Sequence, residues 1–178
     1  MKSRVSCIED IVLIEYAKNY EQELRNIFYS LYFDPFYKYI FLHPWRDDFE
    51  LPISTYDYHS FVSLDKNQII GFIAYNINRI TDSVNRIQIV NFNKKYSYIF
   101  GKDAIICIKN IFEKLNFRKI NFDIIIGNPI EKTYDGLILR YGGRIVGVKK
   151  EEIKLIDGKY HDLKQYEILR EDYFKSIK

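Results

Sequence analysis

The stretch Val84–Asn116 has the residue order of a strand, a polar loop and a helix start, an arrangement able to hold a phosphate. Ile87 and Ile89 fall on one side of an apolar run and Val90 and Phe92 on the other. A polar loop follows from Asn93 to Ser97, and Tyr98-Ile99-Phe100-Gly101 leads into an apolar helical pattern. The first N–H groups of a helix have no acceptor within it, and its dipole is positive at that end, so an anion is favoured there. Gly101 lets the backbone come close, and Lys102 adds a positive charge. These residues leave two readings open: a phosphate cradle from Tyr98 through Asp103, or an ordinary β–α connection.

Other chemistries have less support. Covalent catalysis needs a Cys or Ser with a His partner, and none is evident in the sequence. Cys107 sits in an apolar helical run and reads as a small buried hydrophobe. His43, His59 and His161 are the three imidazoles that could act as a base, directly or beside a water-mediated route. Each also fits a packing or surface role. No C-x-x-C or His-x-His spacing points to a metal, so none is expected. The absence of G-x-S-x-G and of G-x-x-x-x-G-K-S/T argues against an α/β hydrolase and a P-loop kinase.

At 178 residues the chain is expected to form one domain, 1–178. A hydrophobic share of 47% and a charged share of 29% fit a globular protein. The net charge of +3 is spread along the chain, and the pair Lys149-Lys150 is followed at once by Glu151-Glu152. That pattern argues against a nucleic-acid stripe. No run has the roughly 18 apolar residues of a spanning helix, and the N-terminus lacks the apolar core of a signal peptide. Cys7 and Cys107 make no disulfide framework. The expectation is a bacterial, cytoplasmic protein without nucleic-acid or membrane partners. Its oligomeric state stays open, a homodimer included.

The elements that must position these residues follow from periodicity. Ile11–Ala17 reads as a first strand. Asn19 with Gln22 reads as a capping box ahead of a helix over Tyr20–Tyr32, which Asp34-Pro35 interrupts. Phe36–Leu42 reads as a second helical piece, and Asp47, Asp48 and Glu50 as part of an acidic loop. The aromatic segment Tyr29–Trp45 fits either a packed helix pair or a pocket wall. From Ser60 the period becomes 2, giving strands over Ser60–Leu64, Ile69–Ile77 and Val84–Asn93 with turns at Asp65–Gln68 and Thr81–Ser83. An amphipathic helix is expected over Lys102–Asn116 and a central strand over Lys119–Ile126. Pro129 opens a further helix that Gly142-Gly143 closes. Arg144–Leu155 and Tyr160–Leu169 flank a turn at Asp157-Gly158, and Arg170–Lys178 reads as a tail or short helix.

That order resembles the GNAT family of acyl-CoA-dependent N-acyltransferases. Three features carry the resemblance. The first is the opening stretch, where the family pattern of Gln or Arg, two residues, Gly, one residue, Gly or Ala falls on Tyr96 to Gly101 and is matched at Gly101 alone. The second is Gly127-Asn128-Pro129 after the next strand. The third is the ending, in which Gly142-Gly143, the Asp157-Gly158 turn, Asp162, Tyr166, Ile168-Leu169-Arg170 and Tyr173 are similar to the Rim-type branch.

The resemblance implies a mixed, mostly antiparallel α/β sheet with splayed central strands flanked by helices. It implies transfer of an acetyl group from acetyl-CoA to a primary amine, of a small molecule or a protein N-terminus, by direct attack. The pyrophosphate would lie on Tyr98, Ile99, Phe100, Gly101, Lys102 and Asp103, and the pantetheine arm on the backbone of Ile89, Val90, Asn91 and Phe92, with Asn128 beside it. Asn128 also fits a helix-capping role. The family's acid Tyr, four residues before the closing Gly, falls on Ile138; Tyr134, one turn earlier, is the nearest catalytic substitute. The departures at Tyr96, Ile99 and Ile138 keep a second reading open, a domain of the same fold that binds a CoA-type ligand or a partner protein without catalysis.

Overall fold

A computed structural model describes residues 14–40, 51–53, 56–94 and 98–178. His43, Trp45, Asp47, Asp48, Glu50, Tyr96 and Ser97 lie outside the described residues, as do 11–13 of the first expected strand.

Seven strands form one sheet among the described residues: β1 Ile14–Tyr16, β2 Tyr58–Asp65, β3 Gln68–Asn78, β4 Ser83–Asn91, β5 Lys119–Ile125, β6 Arg144–Lys154 and β7 Tyr160–Leu169. Their order is β1-β2-β3-β4-β5-β7-β6, and only β4 and β5 run parallel. The helices are α1 Glu21–Leu31, α2 Tyr98–Glu113, α3 Glu131–Arg140 and α4 Arg170–Ser176. The sheet is therefore mixed, mostly antiparallel and flanked by helices, as expected.

Period-2 alternation divides the strands between two cores. Phe61, Ile73, Tyr75, Ile77, Ile120 and Tyr166 face Phe100, Cys107, Ile111 and Phe112 of α2, with Ile138 and Tyr173 closing the layer. The opposite face turns Val62, Leu64, Phe72, Ala74 and Val90 toward Ala17, Tyr20 and Leu24. Burial pushes the Cys107 thiol up to about 12, so it stays an inert apolar filler. The β2–β3 turn needs two residues at positive φ, and Lys66 and Asn67 supply them at 48° and 66°.

Two helix ends in the first third of the chain depart from expectation. Asn19 lies inside a single 3₁₀ turn, Ala17–Tyr20, and the cap of α1 is Tyr20 with no side-chain hydrogen bond. Gln22 donates to Asn26 instead of closing a capping box. The second helical piece is one 3₁₀ turn, Pro35–Tyr37, capped by Asp34 Oδ1, which accepts from Phe36 N at 3.1 Å. The C-terminal end of α3 falls where expected. Gly142 takes φ +71°, and Gly143 N donates to Ile138 O at 2.7 Å, which closes α3.

The terminal pattern is explained by packing. Tyr166, Ile168 and Tyr173 are buried, and the Tyr173 ring stacks on Phe112 at 4.9 Å. Arg170 Nε donates to Phe112 O, and its Nη2 donates to Asn116 Oδ1. The tail thus ties β7 and α4 to the end of α2.

Candidate functional site

The middle of the sheet comes apart. β4 and β5 pair only at Ser83–Lys119 and Val84–Ile120, and then β5 follows β7 along its length. Parting begins at a bulge. Ala74 faces Gln88 but Asn76 faces Asn85, so β4 carries one extra residue, with Arg86 at φ +50°. Above the bulge Gln88 is exposed in what would otherwise be a covered central strand.

A cavity of about 310 Å³ occupies the upper gap. Ile89, Val90 and Asn91 of β4 form one wall, and Asn128, Pro129, Ile130 and Thr133 at the start of α3 form the other. Phe36, Tyr37, Tyr39 and Ile40 cover it, with Asn93 and Lys94 at the rim. The aromatic segment is thus a pocket wall along these four residues. Two contacts hold it down: Tyr37 Oη donates to Phe92 O at 2.8 Å, and Lys94 pairs with Asp34 at 2.6 Å; Lys38 Nζ lies 3.1 Å from Asp157 Oδ2.

The β4 backbone corrects part of the expected arm site. Phe92 N donates to Ile70 O and Phe92 O accepts from Tyr37, so both of its main-chain groups are taken. In an antiparallel ladder alternate residues turn the same way. Val90 therefore also directs its N–H and C=O to β3, while Ile89 and Asn91 direct theirs across the gap. Asn91 Oδ1 accepts from Asn93 N, which shapes the exit from β4. Asn128 sits across the cavity, and its Oδ1 accepts from Ile130 N at 3.2 Å. It closes a local turn and lines the cavity, but it does not cap α3, whose N-cap is Ile130 without a side-chain hydrogen bond.

The phosphate end is also redrawn. α2 spans Tyr98–Glu113, so its first turn is Tyr98–Gly101 and Lys102 and Asp103 fall in the second. Tyr98 is exposed, Phe100 is buried, and Lys102 points to solvent. Asp103 is only 6% exposed and turns inward, where its Oδ2 accepts from Ser63 Oγ at 2.5 Å. It is no phosphate contact. Burial raises the Asp103 carboxyl above the usual range, against the Ser63 hydrogen bond and the Lys102 charge.

The sign of that shift gives a first expected result. An acid raised in the folded state contributes stability below its unfolded value and loses it as pH rises through the folded value. Asp103→Asn keeps an acceptor for Ser63 and has no charge to bury. Its urea stability relative to the parent should therefore rise as the pH increases above about 4. A difference that stays flat with pH would rule out buried charge as the cause.

Below Ile89 the gap narrows to an apolar recess of about 60 Å³, walled by Ile87, Ile89, Ile108, Phe122, Tyr134 and Ile138 among others. Tyr134 packs edge-on against Phe122 with centroids 5.6 Å apart, and burial holds its phenol above the ordinary range. Its hydroxyl has no hydrogen-bond partner among the described residues. Ile138, at the family's Tyr position, is a core residue. Two groups beside Tyr134 were not singled out from the sequence. Asp135 accepts from Tyr166 Oη at 2.7 Å, and Lys164 bridges Asp135 and Glu131. This network fixes α3 on β7.

His59 and His161 do not line the gap, and His43 lies outside the described residues. His59 lies on β2 between Phe61 and Tyr75, with Nδ1 3.1 Å from Tyr75 Oη. His161 stands at the β6–β7 turn against Asp157 and the edge of Tyr39. Among the described residues no cluster of His, Cys, Asp or Glu could hold a metal ion, and no helix is long and apolar enough to cross a membrane.

No protein-family model matches the chain, and no curated protein sequence matches it. Solved structures do. A spermidine N-acetyltransferase from Vibrio cholerae in complex with CoA and spermine aligns at TM-score 0.68 and 21% identity, over 90% of this chain and 96% of that one. A probable GNAT-family acetyltransferase from Chromobacterium violaceum aligns at TM-score 0.68 and 16% identity, over 90% and 88%. A probable acetyltransferase aligns at TM-score 0.56 and 18% identity over 66% of this chain; the match spans 65% of its own length, just under two thirds. The chain has the fold of the GNAT acetyltransferases.

Proposed function

We propose that this chain is an N-acetyltransferase that moves an acetyl group from acetyl-CoA to a primary amine by direct attack. The observation that carries the reading is the parting of β4 from β5 after two residue pairs, with a cavity in the gap and the first turn of α2 following β4. Acetyl-CoA supplies an activated acyl thioester. Ile89 and Asn91 would pair their main chain with the arm, Asn128 would meet it from α3, and Tyr98–Gly101 would take the pyrophosphate at the positive helix end. Lys94 at the cavity rim adds a cation. Tyr134 remains a neutral phenol at neutral pH, which suits a proton donor to the departing sulfur and not a base. The amine's proton leaves through water.

The terminal pattern from Asp162 to Tyr173 supports a place beside the Rim-type branch. The spermine-bound neighbour favours a small amine over a protein N-terminus as acceptor. Thermal shift in millimolar acetyl-CoA, followed by thiol release across amines and peptides, tests the reading. Ligand at about 100 times its Kd should stabilise by about 2.7 kcal/mol. An unshifted midpoint would overturn it. Stabilisation without thiol release would replace it with a CoA-binding domain that lacks catalysis.

A further inference from the structure

At one end of the cavity roof the chain has placed its own ammonium group. Lys38 Nζ lies 3.1 Å from Asp157 Oδ2 and 5.0 Å from the centroid of the Tyr39 ring. Carboxylate on one side and aromatic face on another is the environment that recognises an alkylammonium ion. Tyr39 itself lines the cavity. Asp157 is built to stay charged: Lys159 N donates to its Oδ1 at 3.0 Å, and His161 Nε2 lies 3.2 Å from Oδ2. With the Lys38 ammonium, these contacts hold its carboxyl down to about 2, the Lys159 hydrogen bond most of all and the Lys38 one next.

We propose that Asp157 and the Tyr39 ring form an ammonium site at the edge of the cavity, filled by Lys38 in this structure and taken over by the distal ammonium of a diamine acceptor. The inference rests on the N-acetyltransferase reading for the fate of the other amine, but the site is a binding site in its own right. Lys38 and the incoming ammonium compete for one carboxylate. A simple structural tie between Lys38 and Asp157 has no such competition.

The two alternatives predict opposite signs for one variant. Asp157→Asn keeps an acceptor for Lys159 N and removes the charge. Calorimetric titration with 1,4-diaminobutane should show about fivefold weaker binding to it than to the parent protein. Lys38→Met removes the competitor and should tighten diamine binding by about the same factor. In turnover with acetyl-CoA, the same opposed changes should appear in the diamine KM and not in kcat, and butylamine, which has no distal ammonium, should keep its KM in both variants. If Lys38→Met weakens binding as Asp157→Asn does, the pair is a structural tie and the ammonium site is overturned. If the two variants bind oppositely but no thiol is released with any amine, the site stands and the transferase reading falls.

Discussion

Tyr134→Phe is expected to lower kcat for acetyl transfer by about two orders of magnitude and to leave KM for acetyl-CoA within about twofold. The change removes a single oxygen. That oxygen has no hydrogen-bond partner among the described residues, and the ring keeps its edge-on contact with Phe122. A Phe at this position should therefore fold as the parent does. Tyr166 provides the contrast, because its hydroxyl donates to Asp135 at 2.7 Å. Tyr166→Phe should cost about 1.5–3 kcal/mol of stability, the worth of a hydrogen bond to a charged group. Steady-state kinetics beside thermal midpoints separates the roles. An unchanged kcat in Tyr134→Phe would make Tyr134 a wall of the recess and return the sulfur's proton to water. The pH profile carries the same information. The Tyr134 phenol is raised by burial, so its ionisation should not cut activity until the pH is above about 10, the ordinary phenol value.

Features fixed by local periodicity were legible in the sequence. The alternation from Ser60 onward, the Lys66-Asn67 turn and the Gly142-Gly143 closure need only near neighbours. So does the ending, where Tyr166, Ile168 and Tyr173 are each core residues at fixed spacing. The start of α2 is not legible in the sequence, because Gly101 reads as a boundary. It lies within the helix, whose preceding turn mixes exposed Tyr98 with buried Phe100. Asp103 reads as facing the anion because its partner, Ser63, is 40 residues away. Sequence periodicity is blind to such a pair. The Arg86 bulge has no glycine to announce it, and the choice between Val90 and Asn91 depends on ladder phase, which only the β3 register reveals. Geometry of the gap therefore had to come from the structure, while its position between the third and fourth long strands did not.

Gly71→Ala should test whether the cofactor end depends on a contact no motif describes. A Cβ at Gly71 would lie 2.2 Å from the Phe100 ring, at both Cδ2 and Cε2. A ring held in the core cannot yield like the end of a flexible chain, so the first turn of α2 must shift or the sheet must deform. Overpacking of this kind costs about 1–3 kcal/mol. Because Phe100 belongs to the turn assigned to the pyrophosphate, KM for acetyl-CoA should rise by about tenfold, roughly 1.4 kcal/mol of lost binding. Phe100→Ala alone should destabilise by about 3–5 kcal/mol through the cavity it leaves. The double variant discriminates. With the ring gone the added methyl has room, so the combined loss should fall short of the sum by about 0.5–3 kcal/mol. Strict additivity would mean that the ring is not what excludes a side chain at position 71. A normal acetyl-CoA KM in a destabilised Gly71→Ala protein would mean that α2 can move without disturbing the cofactor, and the pyrophosphate would then belong elsewhere than the first turn.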